Sequence, residues 1–333
     1  MIHFSARRAV CRFMHATLLG ALSAATIGSA QAQAFPSHSV QINVGLQAGG
    51  AADNIARTLA EGLSQIWGQP VIVANKPGAG GALAVQETIK AKADGYTLVL
   101  ANEGSITRSQ FLTAKLGYDS LKDLVPIAAA GVVPMVLVVN PEVMKAGDLK
   151  TFLAQAKAAP GKIDYASSGT GASHHISMAM LERAASIKLN QIAYKGGAPA
   201  LTDVLGGHVP TMFVAVSTAL PFIKSSKLVA LGVSGAQRSA HLPNIPTIAE
   251  QGFPGYETGD WLSIFTPRDT SPEVVRKIIA DMATVTRSPA YQQKLLSAGL
   301  ETKPSAGKDL AELIARTIEA NREIFRAAGI VPE

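Results

Sequence analysis

The sequence contains little cysteine, few aromatic residues and few charges. Its one cysteine, Cys11, lies near the N-terminus, so the rest of the 333-residue chain offers no thiol for a disulfide, a nucleophile or a metal site. Aromatic residues make up 5%, charged residues 16% and hydrophobic residues 47% of the chain. This composition describes a globular protein with a substantial core, and the length suits two domains.

A membrane-spanning run is also missing from the body of the chain. The most apolar stretch, "LVPIAAAGVVPMVLVV", is too short to cross a bilayer and is interrupted by Pro126 and Pro134. We therefore expect a soluble protein after processing of the N-terminus.

The N-terminal segment has the pattern of a secretory signal peptide. Arg7, Arg8 and Arg12 precede a short apolar stretch, and "SAQAQA" offers cleavage after Ala32 or Ala34. We predict a signal peptide over residues 1–34 and a periplasmic mature protein, with both the general and the twin-arginine export routes open. Loss of the three arginines lowers the net charge from +6 to +3, so nucleic acid binding is not implied.

Several catalytic and metal-binding patterns are absent or incomplete. The G-x-S-x-G elbow of many hydrolases does not occur, and "NKPGAGG" lacks the Lys-Ser/Thr pair of a phosphate-binding loop. A Ser168–His175 pair stays open as a hydrolase alternative, although no orienting acid can be placed. On a helix, His174 and His175 diverge by about 100°, which disfavours a shared metal. We predict no catalytic residue, no metal site and no cofactor.

Short apolar runs alternate with helical patterns along the chain. "VQINVGL", "PVIVAN" and "YTLVLAN" read as strands separated by helices, which predicts an α/β fold with a parallel sheet. A second α/β unit follows, and "DWLSIFTP" reads as a strand that returns to the first. We predict a two-lobed structure with a ligand cleft: residues 35–135 plus 256–333 form lobe 1, and residues 136–255 form lobe 2.

In such folds, ligands bind at the loops that lead from strands into helices. "QAGGAAD" places Gly49 and Gly50 before a helix, whose first N–H groups and dipole favour an anion. "SSGTGAS" repeats the arrangement and adds hydroxyl groups. Each loop alone could be a simple turn, but together they indicate a site for a small carboxylate. The hydroxyl groups come from Ser167, Ser168, Thr170 and Ser173.

The whole sequence after residue 34 resembles the Bug-type periplasmic solute-binding proteins of tripartite tricarboxylate transporters. The resemblance is carried by "GQPVIVANKPGAGG", "DGYTLVLAN", "PGKIDYASSGTGASHH", "YKGGAPALTDVLGGHV" and "LVALGVSGAQRSAHLPNIPTIAEQGFPGYE". It implies a Venus-flytrap protein, of the periplasmic-binding-protein type II fold, that delivers a carboxylate to membrane permease subunits. We expect a monomer. The resemblance assigns ligand contacts to Gly49, Gly50, Ala51, Asp53, Ser105, Ser167, Ser168, Gly169, Thr170, Ser173 and His175.

The sequence departs from the family pattern at several places near the expected site. Gln47 stands in a loop that is usually proline-rich, and Val214 replaces an acid, which argues against an α-amino acid ligand. Arg108 could pair with a second carboxylate or be a solvated residue. Val214 and Trp261 could form an apolar wall suited to an aromatic carboxylate. Glu103 and Asp260, if they point inward, would favour a more cationic or hydroxyl-rich ligand.

The resemblance predicts transport as the output, with two alternatives. A loaded binding protein could dock on a signalling partner instead of a permease, and nothing in the sequence separates these outcomes. A secreted serine hydrolase is the other alternative. It would require Ser168 and His175 to act together.

Overall fold

The computed structural model describes residues 35–302, 305–327 and 329–332. The predicted signal peptide, with both cleavage sites, lies outside these residues. Within the described part of the chain, none of the helices combines the length and apolar character needed to cross a membrane.

The first sheet has the strand order β2-β1-β3-β10-β4. Its strands β1 to β3 run parallel, as the βαβαβ rhythm predicts, whereas β10 is antiparallel to both of its neighbours. The returning strand is therefore inserted beside β3 and not at an edge. The strands are β1 (Val40–Val44), β2 (Val71–Asn75), β3 (Thr97–Asn102), β4 (Leu124–Val133) and β10 (Asp260–Pro267).

The second sheet has the order β7-β6-β8-β5-β9 and is also mixed. Strand β6 pairs in parallel with β7 and β8, while β5 runs antiparallel to β8 and β9. Buried apolar side chains cover both of its faces. Its strands are β5 (Met135–Val139), β6 (Asp164–Ser167), β7 (Asn190–Ala193), β8 (Thr211–Ala215) and β9 (Val229–Val233).

Helices fill the connections and cover the sheets. The longer ones have the apolar spacing expected of helices against a core; Ile55, Leu59 and Leu63 of the first are all buried. In chain order they are α1 (Ala51–Trp67), α2 (Ala82–Ile89), α3 (Ser109–Leu112), α4 (Ser120–Asp123), α5 (Leu149–Ala158), α6 (Ser173–Ala185), α7 (Gly197–Leu205), α8 (Val216–Lys224), α9 (Pro272–Thr286), α10 (Pro289–Ser297) and α11 (Gly307–Ala327).

The chain passes between the sheets twice, and the returning connection is hydrogen-bonded to the start of β5 and within itself. Pro134 separates β4 of the first sheet from β5 of the second, and the segment from Ser234 to Gly259 returns to β10. Ser234 N–H donates to Met135 O and Thr258 N–H donates to Ser234 O, each at 2.9 Å. This pair of connections is the place where rotation of one sheet against the other would be absorbed.

Candidate functional site

The loop between β1 and α1 is organised by Asp53. Its carboxylate Oδ2 accepts the Gly49 N–H and the Arg57 Nε–H, each at 2.9 Å. Burial disfavours the charged carboxylate, but the hydrogen bonds from Arg57 and Gly49 outweigh it and lower the pKa of Asp53. Asp53 is 3% exposed, so its carboxylate holds the loop in shape.

The start of α1 itself has no side-chain cap. Gly49 has φ +82°, a left-handed conformation that favours glycine, and Gly50 occupies the N-cap position without a side-chain hydrogen bond. Gln47, Gly49 and Gly50 are exposed, and Ala51 is half-buried. The first N–H groups of this long helix are therefore presented at an accessible end, the arrangement that binds anions.

The loop between β6 and α6 has the same character. Gly169 and Gly171 adopt φ +124° and +76°, and Ala172 at the N-cap of α6 makes no side-chain cap. Ser167 is fully buried, and its hydroxyl Oγ accepts the Gln191 amide at 2.8 Å. Thr170 is exposed at the tip of the loop. Ser167 thus anchors the loop, while its tip and the N-terminus of α6 are accessible.

Two histidines follow this loop and have different partners. Ser168 Oγ lies 2.6 Å from His174 Nδ1, whereas His175 Nδ1 accepts the Gly171 N–H at 2.9 Å. The Ser168–His175 pair considered from the sequence is therefore wrong, because His175 turns back onto its own loop. Burial lowers the pKa of His174 to about 4 and also lowers that of His175, so both rings are neutral at pH 7.

The loop after β3 forms a turn of π-helix over Gly104–Arg108. Ser105 is 1% exposed, and its hydroxyl donates to Asn102 O at 2.9 Å. Gly81 of the neighbouring loop packs closely against Asn102 and Ser105. A Cβ added to Gly81 would lie 2.8 Å from Asn102 Oδ1 and 3.4 Å from Ser105 Cβ. Ser105 therefore stabilises its own loop in this arrangement.

Arg108 is buried in a cluster with two carboxylates. Its Nη1 lies 2.8 Å from Glu103 Oε1, and its Nη2 donates to Ser173 Oγ at 3.1 Å. Burial raises the pKa of Asp260 to about 6, an effect that the Arg108 charge reduces and the Glu103 charge increases. Arg108 is only 4% exposed, which rules out the solvated alternative. Its charge is already balanced by Glu103.

The contact between Arg108 and Ser173 joins a loop of the first sheet to a loop of the second. Arg108 follows β3 of the first sheet, and Ser173 begins α6 behind β6 of the second. Beside this contact, Gly171 packs on Leu112; a Cβ on the glycine would lie 2.7 Å from Leu112 Cδ1. The loop after β3 and the serine-glycine loop therefore lie together, as the sequence predicts for a site between lobes.

Val214 and Trp261 are not brought together. Val214 is 3% exposed and packs in a core cluster on one face of the second sheet. Trp261 packs against the core of the first sheet and lines a separate cavity. The predicted single apolar wall of these two residues is therefore not formed in this arrangement.

The sequence did not single out two contacts of the site. The bond from Ser168 to His174 depends on the course of the loop at Gly171, which spacing alone does not reveal. Asp260 reaches Glu103 and Arg108 because β10 lies antiparallel beside β3, with Leu262 opposite Asn102. No local pattern connects residues so far apart in the chain.

Solved structures place this architecture among periplasmic binding proteins. The chain matches the periplasmic binding protein BugD at 30% identity with a TM-score of 0.70, covering 90% of this chain and all of BugD. It also matches Rpa4515 of R. palustris, whose structure contains adipate, at 28% identity and a TM-score of 0.74, with coverage of 90% and 100%.

Sequence comparison identifies the family. Residues 55–330 match the tripartite tricarboxylate transporter family receptor. Protein BugT of Bordetella pertussis (strain Tohama I) is 34% identical over 303 residues, which cover 91% of each chain. The chain belongs to the tripartite tricarboxylate transporter receptor family, whose members are solute-binding proteins.

Proposed function

We propose that this protein captures a small organic carboxylate in the periplasm and delivers it to a tripartite tricarboxylate-type permease. The observation that carries the proposal is the pair of uncapped helix N-termini. Helices α1 and α6 each follow a glycine-containing loop, and the N-cap residues, Gly50 and Ala172, provide no side-chain hydrogen bond to the first N–H groups. A carboxylate would accept these hydrogen bonds and interact favourably with the helix dipoles.

The ligand-contacting groups we propose are the accessible ones. They are the backbone of Gly49, Gly50 and Ala51 on one side, and Ser168, Gly169 and Thr170 on the other. Asp53, Ser105 and Ser167 would position these loops through the hydrogen bonds that they make within them.

Arg108 has a different role in this proposal from the one expected of a ligand clamp. Its guanidinium is shared by Glu103 and Ser173, and Asp260 adds a second carboxylate nearby. A second ligand carboxylate would have to compete with these partners. We propose instead that Arg108 holds the loops of the two lobes together, and that a dicarboxylate such as the adipate found with Rpa4515 uses backbone and hydroxyl donors.

We propose a non-enzymatic role. The bond between Ser168 and His174 is the one feature that favours a hydrolase, but among the described residues no carboxylate contacts His174. A signalling output in place of transport would use the same ligand site and the same closure of the lobes.

The test is calorimetric titration of the mature protein, unfolded and refolded to remove carried ligand, with dicarboxylates, tricarboxylates and aromatic carboxylates. Ser168→Ala is expected to weaken the best ligand about tenfold, because one hydrogen bond to a charged group is lost. Ser225→Ala is the matched control, since that hydroxyl donates to Pro221 O on an exposed helix end. Equal loss in both variants, or ester hydrolysis that vanishes in Ser168→Ala, would overturn the proposal.

A further inference from the structure

A cavity of about 220 Å³ lies beside the segment that returns to the first sheet. One wall is α6, through Ile176 and Met180, and another is α11, through Leu313 and Asn321. A third wall is formed by the residues that lead into β10, Thr258 and Gly259, and by Trp261 within that strand. None of the residues of the proposed carboxylate loops before α1 or α6 lines this cavity.

Glu103 contributes a buried acidic side chain to the lining of this cavity. Glu103 is 6% exposed, and it is one of the lining residues. Its described partners, Arg108 Nη1 at 2.8 Å and Thr107 Oγ1 at 3.4 Å, both contact the same oxygen, Oε1. We infer that Oε2 is the oxygen available to a group in the cavity.

Asn321 adds a second acceptor. Its amide Nδ2 donates to Thr107 Oγ1 at 3.0 Å, and Thr107 in turn donates to the Glu103 carbonyl at 3.0 Å. The amide nitrogen is therefore the end of Asn321 that is engaged, and the carbonyl Oδ1 is the end left for another donor. Asn321 is 2% exposed and lines the cavity.

The electrostatics of this region favour a cation. Glu103 and Asp260 contribute two carboxylates against one guanidinium, that of Arg108. The indole ring of Trp261 is part of the same lining, and aromatic rings attract ammonium groups. Arg316 also lines the cavity, as does Glu257; the Arg316 side chain is 69% exposed, lies 3.8 Å from Glu312 and is screened by solvent.

We propose that this cavity is a second binding site, specific for a primary ammonium group on a short apolar chain. The ammonium would donate to Glu103 Oε2 and Asn321 Oδ1, and the chain would lie against Met180, Ile176 and Trp261. Because α6 follows the second sheet and α11 packs on the first, an occupant would contact both lobes. This site goes beyond carboxylate capture and stands independently of it.

Trp261 supplies the probe. The sequence has two tryptophans, and Trp67→Phe leaves Trp261 as the only indole. Addition of n-butylammonium chloride to this variant is expected to change the Trp261 emission saturably, whereas 1-butanol, which matches the chain without the charge, should not. A response that does not saturate, or an equal response to 1-butanol, would overturn the proposal.

Two further substitutions in the Trp67→Phe background assign the site. Glu103→Gln keeps the shape but removes the charge, and butylammonium should bind at least about tenfold more weakly. Ala320→Met fills the cavity while leaving Glu103, Arg108 and Asp260 unchanged in sequence, so it tests the site even if Glu103→Gln fails to fold. Unchanged butylammonium affinity in a folded variant of either kind contradicts the proposal. Carboxylate binding, measured on the same samples, reports separately on the proposed function.

Discussion

Asp260 gives the sharpest test of the charged cluster between the lobes. Its carboxylate Oδ1 is buried and, within the described residues, has no hydrogen-bond partner. Burial is the main reason that its pKa is about 6, against an ordinary value of 3.8. The folded protein therefore binds a proton between these values that the unfolded chain has released, and the ionised carboxylate lowers stability.

The magnitude follows from the two pKa values. The ionisation of Asp260 costs about 3 kcal/mol at pH 7 and less than about 1 kcal/mol at pH 4. Asp260→Asn removes this cost while keeping an acceptor oxygen. We expect the variant to be more stable than the wild type at pH 7, with the advantage shrinking by about 2 kcal/mol as the pH falls to 4.

The assay is urea unfolding of the mature wild type and Asp260→Asn at several pH values. Taking the difference between the two proteins cancels the titration of the other carboxylates, which both share. A difference in unfolding free energy that stays constant from pH 4 to 7 would refute the reasoning. So would a variant whose relative stability rises as the pH falls.

Two other predictions concern the serine-glycine loop. Gly171→Ala is expected to destabilise the protein by about 1–3 kcal/mol, because the alanine would have to adopt a left-handed φ and its Cβ would press on Leu112. The control is Gly147→Ala, where an added Cβ meets nothing within 4 Å; this variant should be close to neutral in the same denaturation experiment. Burial lowers the pKa of His174 to about 4, so its bond to Ser168 persists between pH 5.5 and 8. Because Asp260 titrates near pH 6, the measurement uses Asp260→Asn, in which carboxylate affinity should be flat over this range; an inflection near pH 6.5 in that variant would show that the His174 ring is solvated.

Local patterns predicted much of the first sheet. The strands that became β1, β2 and β3 carry short β-rich runs, and helical spacing separates them. The start of α9 carries an equally local signal, because Ser271 precedes Pro272 and its hydroxyl accepts the Val274 N–H. These features depend on neighbouring residues, which is why the sequence alone reveals them.

Two elements were missed for physical reasons. The stretch "LVPIAAAGVVPMVLVV" reads as one apolar run, but its first part is β4 at the edge of the first sheet and its second part is β5 inside the other. The edge position explains why Pro126 is tolerated in β4. Helix α8 contains Pro221, a residue that argues against a helix in any single-sequence interpretation.

Prediction of the site was limited by tertiary contacts. The glycine loops could be found because glycine and serine mark strand-to-helix turns. The partners of Arg108 could not be found in this way. Only Glu103 is close to it in sequence, whereas Ser173 and Asp260 come from distant elements. The direction in which a long charged side chain points is decided by such contacts.

The most direct test of the central claim is a crystal structure of the mature protein with the carboxylate that binds best in the titrations. The account predicts that one ligand carboxylate lies about 2.7–3.2 Å from backbone N–H groups at the start of α1 or α6, with the Arg108–Glu103 pair intact. A ligand carboxylate bound to Arg108 in place of Glu103, away from both helix N-termini, would contradict it.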